Sequence, residues 1–213
     1  MVMVGNRPFL DHLVSFLVRN GIKNFVFCVG YLAEQIQDYF EDGGKWDCKI
    51  AYSVEATPLG TGGAIKQASS FLRDTFLLMN GDNYLPLDYR GFIQKCDSRI
   101  SSEGIIGIVT ALHNGSPLFK SNLLLDRTKR RVLDYNYHDP KNKDHMDCGV
   151  KIFSKKLLNF FGPEEKFSLE IDVMPRLSQM GLLGAYEVSC PPFDIGDPAA
   201  LESTRHELLH KYR

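Results

Sequence analysis

The chain has 213 residues, 44% hydrophobic and 24% charged, with a formal net charge of −1. That composition excludes intrinsic disorder and is enough for one full hydrophobic core. The balanced charge gives no electrostatic reason to expect a nucleic-acid partner. The five cysteines, Cys28, Cys48, Cys96, Cys148 and Cys190, form no C-x-x-C pair and are odd in number. A zinc site or a disulfide framework is therefore not expected, and a reducing compartment fits.

The elements alternate along the chain. Pro8 to Arg19 places Phe9, Leu13, Phe16 and Leu17 on one helical face and is stopped by Asn20-Gly21. "NFVFCVG" is a continuous apolar run of the kind found in buried parallel strands, with Cys28 as a small buried hydrophobe within it. "YLAEQIQDYFEDGG" is helical, "CKIAYSV" a strand, Thr61 to Leu72 a helix and "FLLMN" a second buried strand. A helix over Asp88 to Asp97 precedes the strand "GIIGIVTAL". This rhythm predicts an α/β fold: a mixed, mainly parallel Rossmann-like sheet with helices on both faces.

After His113 the rhythm changes. "SNLLLD", "RRVLDYNY" and "DCGVKIF" are strands joined by turns, and they predict a smaller antiparallel or mixed layer beside the main sheet. The basic cluster at Arg127 and Lys129–Arg131 falls in one of those turns and reads as solvated. Helices near Lys155 to Phe161 and Leu169 to Met180 precede the strand "LLGAYEV", and Asp197-Pro198 opens a terminal helix. Without repeats or a low-complexity linker, residues 1–213 read as one domain. No signal peptide opens the sequence and no apolar run reaches the length of a membrane span, so a cytoplasmic protein without a membrane partner is expected.

Three stretches carry chemistry, because ligands of open α/β sheets bind beyond the carboxyl ends of the strands. In "SVEATPLGTGGAIKQA", Gly60, Gly62 and Gly63 let a ligand approach the backbone at a helix N-terminus. Glu55 is able to accept the paired N1–H and N2–H₂ donors of guanine; a plain glycine turn with a surface glutamate is the alternative. In "FLLMNGDNYLPLD", Asp82 is either a hard-oxygen ligand for Mg²⁺ or a turn-capping residue. In "PPFDIGDP", Asp194 has the same two readings, and facing Asp82 it would complete a divalent-metal clamp.

Together these segments, in order from Met1 to the terminal helix, resemble the sugar-phosphate nucleotidyltransferase family. "RPFLDHLV", "NGIKNFVFCVGYLAEQIQDYF", "VEATPLGTGGAIK", "NGD", "MDCGVKIF", "FSLEIDVMPRLSQMGLLGAYEV" and "FDIGDP" carry the resemblance. It is nearest to guanylyltransferases acting on mannose-type or heptose 1-phosphates. It implies the nucleotide-diphospho-sugar transferase fold and the reaction of a nucleoside triphosphate, GTP favoured, with a sugar 1-phosphate to give a nucleotide-sugar and pyrophosphate. Such products feed cell-surface polysaccharide. The resemblance also implies that Asp82 and Asp194 hold Mg²⁺ as the catalytic pair. Glu55, Gly60, Thr61 and Gly62 would bind base and ribose. Asn122, Asp147 and Gly149, with Glu170, would line the sugar-phosphate pocket.

The sequence departs from that family at two places. The family opens with a central strand and a G-G-x-G-T-R-L loop followed by P-K-P, whereas "MVMVGNRPFL" matches what comes after them. The expectation is a truncated single nucleotidyltransferase domain of low turnover. It would be a fragment of an active enzyme, a catalytically impaired or regulatory binding relative, or a part completed by a homo-oligomer or a paralogous partner. The second departure is the family's acid-Lys pair, which falls near Asn136-Tyr137; Lys141 or Lys143 is the substitute if the loop is rearranged. A glycosyltransferase of related fold is disfavoured, because Asp82-Asn83-Tyr84 lacks the D-x-D pattern.

Overall fold

The structure, a computed structural model, describes residues 1–114, 121–136, 138 and 141–210. Tyr137, one of the two residues at the expected acid-Lys position, lies outside them. A short hairpin of β1 (Met3–Val4) and β2 (Arg7–Pro8) leads into α1 (Phe9–Arg19). The parallel pair β3 (Asn24–Val29) and β4 (Lys49–Val54) is bridged by α2 (Ala33–Phe40). Next come α3 (Gly60–Gln67), β5 (Thr75–Met79), β6 (Asn83–Tyr84), α4 (Tyr89–Ser102) and β7 (Gly107–His113). The remainder is β8 (Leu123–Asp126), β9 (Arg131–Tyr135), β10 (His145–Ser154), α5 (Met174–Gln179), β11 (Leu183–Val188), β12 (Phe193–Asp194) and α6 (Pro198–His210).

Sequence punctuation sets the helix ends. Asn20 and Gly21, the latter at φ +89°, close α1 by donating to the carbonyls of Phe16 and Val18. Asp88 accepts from Gly91 N to cap α4, and Asp197 accepts from Ala200 N at the start of α6. Among the described residues no helix is long and apolar enough to cross a membrane.

Among the described residues the main sheet has six strands in the order β5-β10-β7-β11-β9-β8. Its two faces alternate along each strand. Val109, Ala111 and Phe153 pack with Ile65, Leu177 and Val173 on one side. Ile108, Val150 and Ile152 pack with Phe9, Leu13, Phe92 and Leu208 on the other. The three late strands do not form the separate layer expected from their turns. β10 enters the main sheet between β5 and β7, and β9 joins it through β11. Residues 155–160 and 68–71 are 3₁₀ turns, and Leu169–Val173 is a π-turn leading into α5.

β3 pairs only with β4, and β5 only with β10, among the described residues. The remaining edges of β3 and β5 face an apolar slot within a cavity of about 1540 Å³. Leu10, Leu13, Val14 and Leu17 of α1 line it, as do Ile65, Ala68, Phe71 and Leu72. β3 is consequently only half-buried despite its apolar sequence, and Cys28, expected inside, is exposed. Half the amides of β3 and β5 are therefore expected to exchange with deuterium at least ~100-fold faster than those of β7, which is paired on both sides. Uniform protection across these strands would contradict the open slot.

Asp11, buried on α1, ties that helix to the α2 side of the fold. Its Oδ1 accepts from Trp46 Nε1 at 3.0 Å and Ser15 Oγ at 2.9 Å, and its Oδ2 from Tyr39 Oη at 2.7 Å. Burial pushes its pKa up, but the bonds from Tyr39, Trp46 and Ser15 and the charge of Arg7 outweigh this and hold it below its ordinary value. A depressed folded-state pKa contributes stability that is fully present above about pH 4 and lost as pH falls through the folded value. Thermal unfolding from pH 3 to 7 is expected to show an advantage over Asp11→Asn above pH 4 that shrinks towards pH 3. A constant gap would contradict it.

Candidate active site

The carboxyl-end mouth of the cavity gathers the loops that follow β4 and β5, the middle of β10, the π-turn and β12. After β4, Glu55 N donates to Val29 O at 2.8 Å, and Glu55 Oε2 accepts from Leu59 N at 3.1 Å. A Cβ at Gly30 would come within 2.9 Å of Glu55 Cγ and Oε1, so that glycine makes room for the glutamate. Gly60, at φ +74°, then opens α3. The turn is pinned by a facing segment: Phe167 N donates to Leu59 O, and Gly62 N and Gly63 N donate to Phe167 O. Lys66 Nζ donates to the carbonyls of Gly162, Pro163 and Glu164, so it anchors this segment and does not face the cleft.

Asp82 is exposed in the turn between β5 and β6. β6 pairs with β12 so that Asp194 lies opposite Asn83, one residue from Asp82. The two acids thus line one cavity. Asp194 Oδ1 accepts from Gly196 N at 2.9 Å, which orients its carboxylate. No cluster of three His, Cys, Asp or Glu side chains suited to a metal occurs among the described residues. Two hard carboxylates fit Mg²⁺, which is commonly held by one or two acids, waters and substrate phosphates, and not by an all-protein cage.

β10 is irregular at this point. Its register against β7 shifts between Asp147 and Lys151, and Gly149 takes φ +78°. Such bulges re-aim side chains next to sites. Here the bulge brings Gly149 O to Asn80 N at 3.2 Å, with the Asn83 side chain where a Cβ would stand. Asp147 Oδ1 accepts from Gly149 N, and Asp147 Oδ2 accepts from Tyr135 Oη at 2.7 Å. Lys151 Nζ lies 2.8 Å from Asp147 Oδ2 and 3.9 Å from Glu170 Oε1. Glu170 Oε2 in turn accepts from Thr61 Oγ1 at 2.5 Å, and Thr61 Oγ1 accepts from Leu169 N. One polar network therefore joins the glycine turn to β10.

Of the residues singled out from sequence, Glu55, Gly60, Thr61, Asp82, Asp147, Gly149, Glu170 and Asp194 all line the cavity. Gly62 is buried beneath Phe167, whose ring would lie 2.2 Å from a Cβ. Asn122 is also buried; its Oδ1 accepts from Asp147 N at 2.8 Å, so it holds the backbone of β10 and is not part of the lining. Lys143 is paired with Asp134, and neither it nor Lys141 lines the cavity. Lys151 was not singled out from sequence. The signal available was a lysine set among Val150, Ile152 and Phe153, the apolar half of β10.

A sequence model described as "Nucleotidyl transferase" matches residues 1–117. The chain is 29% identical over 170 residues to a D-glycero-alpha-D-manno-heptose 1-phosphate guanylyltransferase of Campylobacter jejuni, covering 80% of this chain and 72% of that protein. It is 28% identical over 214 residues to the protein of the same name from Aneurinibacillus thermoaerophilus, covering 99% and 89%. The crystal structure of HddC from Yersinia pseudotuberculosis superposes with a TM-score of 0.82 at 27% identity, over 98% of this chain and 88% of that one. HddC complexed with GMP-PN gives 0.81 over the same shares.

Proposed function

Because the chain belongs to the nucleotidyl transferase family, we propose that its cleft binds GTP and a mannose- or heptose-type sugar 1-phosphate for conversion to a GDP-sugar and pyrophosphate. One observation carries the reading. The turn bearing Glu55, Gly60 and Thr61, the acids Asp82 and Asp194, and the Asp147–Gly149–Glu170 wall line a single cavity. The guanylyltransferase relatives and the GMP-PN-bound neighbour support it. Residues 1–213 act as one domain in the cytoplasm, without nucleic-acid or membrane partners.

The reaction is an in-line displacement. A phosphate oxygen of the sugar 1-phosphate forms a bond to the α-phosphorus, and the bond from that phosphorus to the α,β-bridging oxygen breaks as pyrophosphate leaves. Positioning supplies most of the rate in such transfers. Glu55, whose Oε2 accepts from Leu59 N at 3.1 Å, would accept the paired donors of guanine with its two carboxylate oxygens. Asp147 and Glu170 present carboxylate oxygens to sugar hydroxyls. Asp82 and Asp194 would hold Mg²⁺, which when bound neutralises triphosphate charge.

The test is pyrophosphate release with Mg²⁺, GTP and mannose 1-phosphate or D-glycero-α-D-manno-heptose 1-phosphate. Release that requires both substrates is expected. GTP cleavage indifferent to sugar phosphate would contradict the reading. The open slot favours a second reading, in which the isolated chain binds both substrates but turns them over slowly, because the strand ends carrying Val29 and Met79 have no neighbour on one side among the described residues. Binding without release identifies that case.

A further inference from the structure

We infer that Lys151 is the cation that receives the phosphate of the sugar 1-phosphate, an inference that rests on the reading above. Its side chain is 2% exposed, a degree of burial that lysine rarely reaches unless paired. It sits on the bulged part of β10 opposite Leu78, close to the end of β5. Its ammonium stands between Asp147, on the β10 wall, and Glu170, which holds Thr61 of the glycine turn.

The charge distribution along the cavity carries the argument. The mouth presents Glu55, Asp82, Asp147, Glu170 and Asp194. Among the described lining residues there are three basic side chains. Lys23 precedes β3 and Arg73 precedes β5, at the opposite end of those strands from Glu55 and Asp82. Lys151 alone stands among the acids. A sugar phosphate entering beside these carboxylates requires a resident positive charge, and a lysine ammonium is a compact charge with rotatable donors suited to phosphate. Asp147 retains its bonds from Tyr135 Oη and Gly149 N when Lys151 turns towards an incoming phosphate, so the shift does not strip a buried carboxylate of partners.

The experiment is a nuclear magnetic resonance titration of the full chain, with Mg²⁺ present, using mannose 1-phosphate, D-glycero-α-D-manno-heptose 1-phosphate, unphosphorylated mannose and GTP in separate arms. Lys151→Met is expected to weaken binding of the preferred sugar 1-phosphate roughly 10–100-fold, the scale of one charge-assisted contact. Mannose and GTP affinities should stay within about threefold. Lys151→Gln, which keeps a hydrogen-bond donor but not the charge, is expected to show the same selective loss and serves if the Met variant does not fold. Raising the salt concentration should narrow the wild-type preference for phosphorylated over plain sugar. Unchanged sugar-phosphate binding in both variants overturns the inference and leaves the proposed function standing. Parallel losses for mannose and GTP would mean that Lys151 only holds the network together, and would also overturn it. A wild-type chain that binds neither sugar 1-phosphate overturns the proposed function and this inference with it.

Discussion

A Gly63→Val chain is expected to lose about 4 kcal/mol or more of its folding stability. The site of Gly63 has no room for a side chain. A Cβ there would come within 2.2 Å of the Glu165 carbonyl oxygen and 2.9 Å of Leu59 Cβ. The obstruction is backbone, so it does not rotate away. The residues around it are zipped to the facing segment by Phe167 N to Leu59 O and by Gly62 N and Gly63 N to Phe167 O. Lys66 fixes the same segment through three carbonyls. Pushing the two apart breaks several bonds together, the kind of multiple loss behind the rare large effects of single substitutions. It would also remove a large share of the ~5–15 kcal/mol that holds an ordinary domain folded. Gly81→Ala is the control: it has nothing within 4 Å and lacks a positive φ, and should be neutral to within ~0.5 kcal/mol. Urea unfolding of the two variants measures both. A loss below ~1 kcal/mol for Gly63→Val would show that the turn and the 162–168 segment are not locked together.

Asp82→Ala and Asp194→Ala are each expected to lower turnover roughly 100- to 1000-fold, the scale of removing one preorganised charge-stabilising group. The two should differ in stability. Asp82 is exposed in its turn, so its loss should leave thermal unfolding unchanged within ~0.5 kcal/mol. Asp194 accepts from Gly196 N and sits on β12, so its removal should cost about 1 kcal/mol. Mn²⁺ binding in the presence of GTP, read by electron paramagnetic resonance, should weaken in both variants. Wild-type Mn²⁺ affinity and turnover in either variant would remove that residue from the metal clamp.

Much of this site was legible because its residues sit where local patterns point. Each of Glu55 and Asp82 follows an apolar strand and enters a glycine turn, and the structure puts both at one cavity mouth. Strand order was less legible. The insertion of β10 between β5 and β7 depends on pairing over tens of residues, and the turn-rich sequence from Ser121 to Phe153 suggests only local hairpins. The resemblance places Asn122 at the pocket wall, but its amide oxygen is engaged by the Asp147 backbone, a bond that no sequence pattern announces. Lys151 does not stand out in the sequence because its neighbours Val150, Ile152 and Phe153 read as plain core; only the assembled fold shows Asp147 and Glu170 on either side of it. The half-exposure of β3 likewise follows from its open edge and not from its composition.

The central claim is that the turn after β4 reads guanine and that β10 and the π-turn present the second substrate in the same cleft. Titration calorimetry of the 213-residue chain with the Mg²⁺ complexes of GTP, ATP, UTP and dTTP, each with and without mannose 1-phosphate, tests it most directly. The expected result is tighter binding of GTP than of UTP or dTTP by roughly 10- to 100-fold, on the scale of ~1–3 kcal/mol for a bidentate contact to a base. Mannose 1-phosphate should bind in the presence of GTP, and Glu55→Gln should remove most of the base preference. Equal affinity for all four nucleotides, or tighter binding of dTTP, would contradict the account.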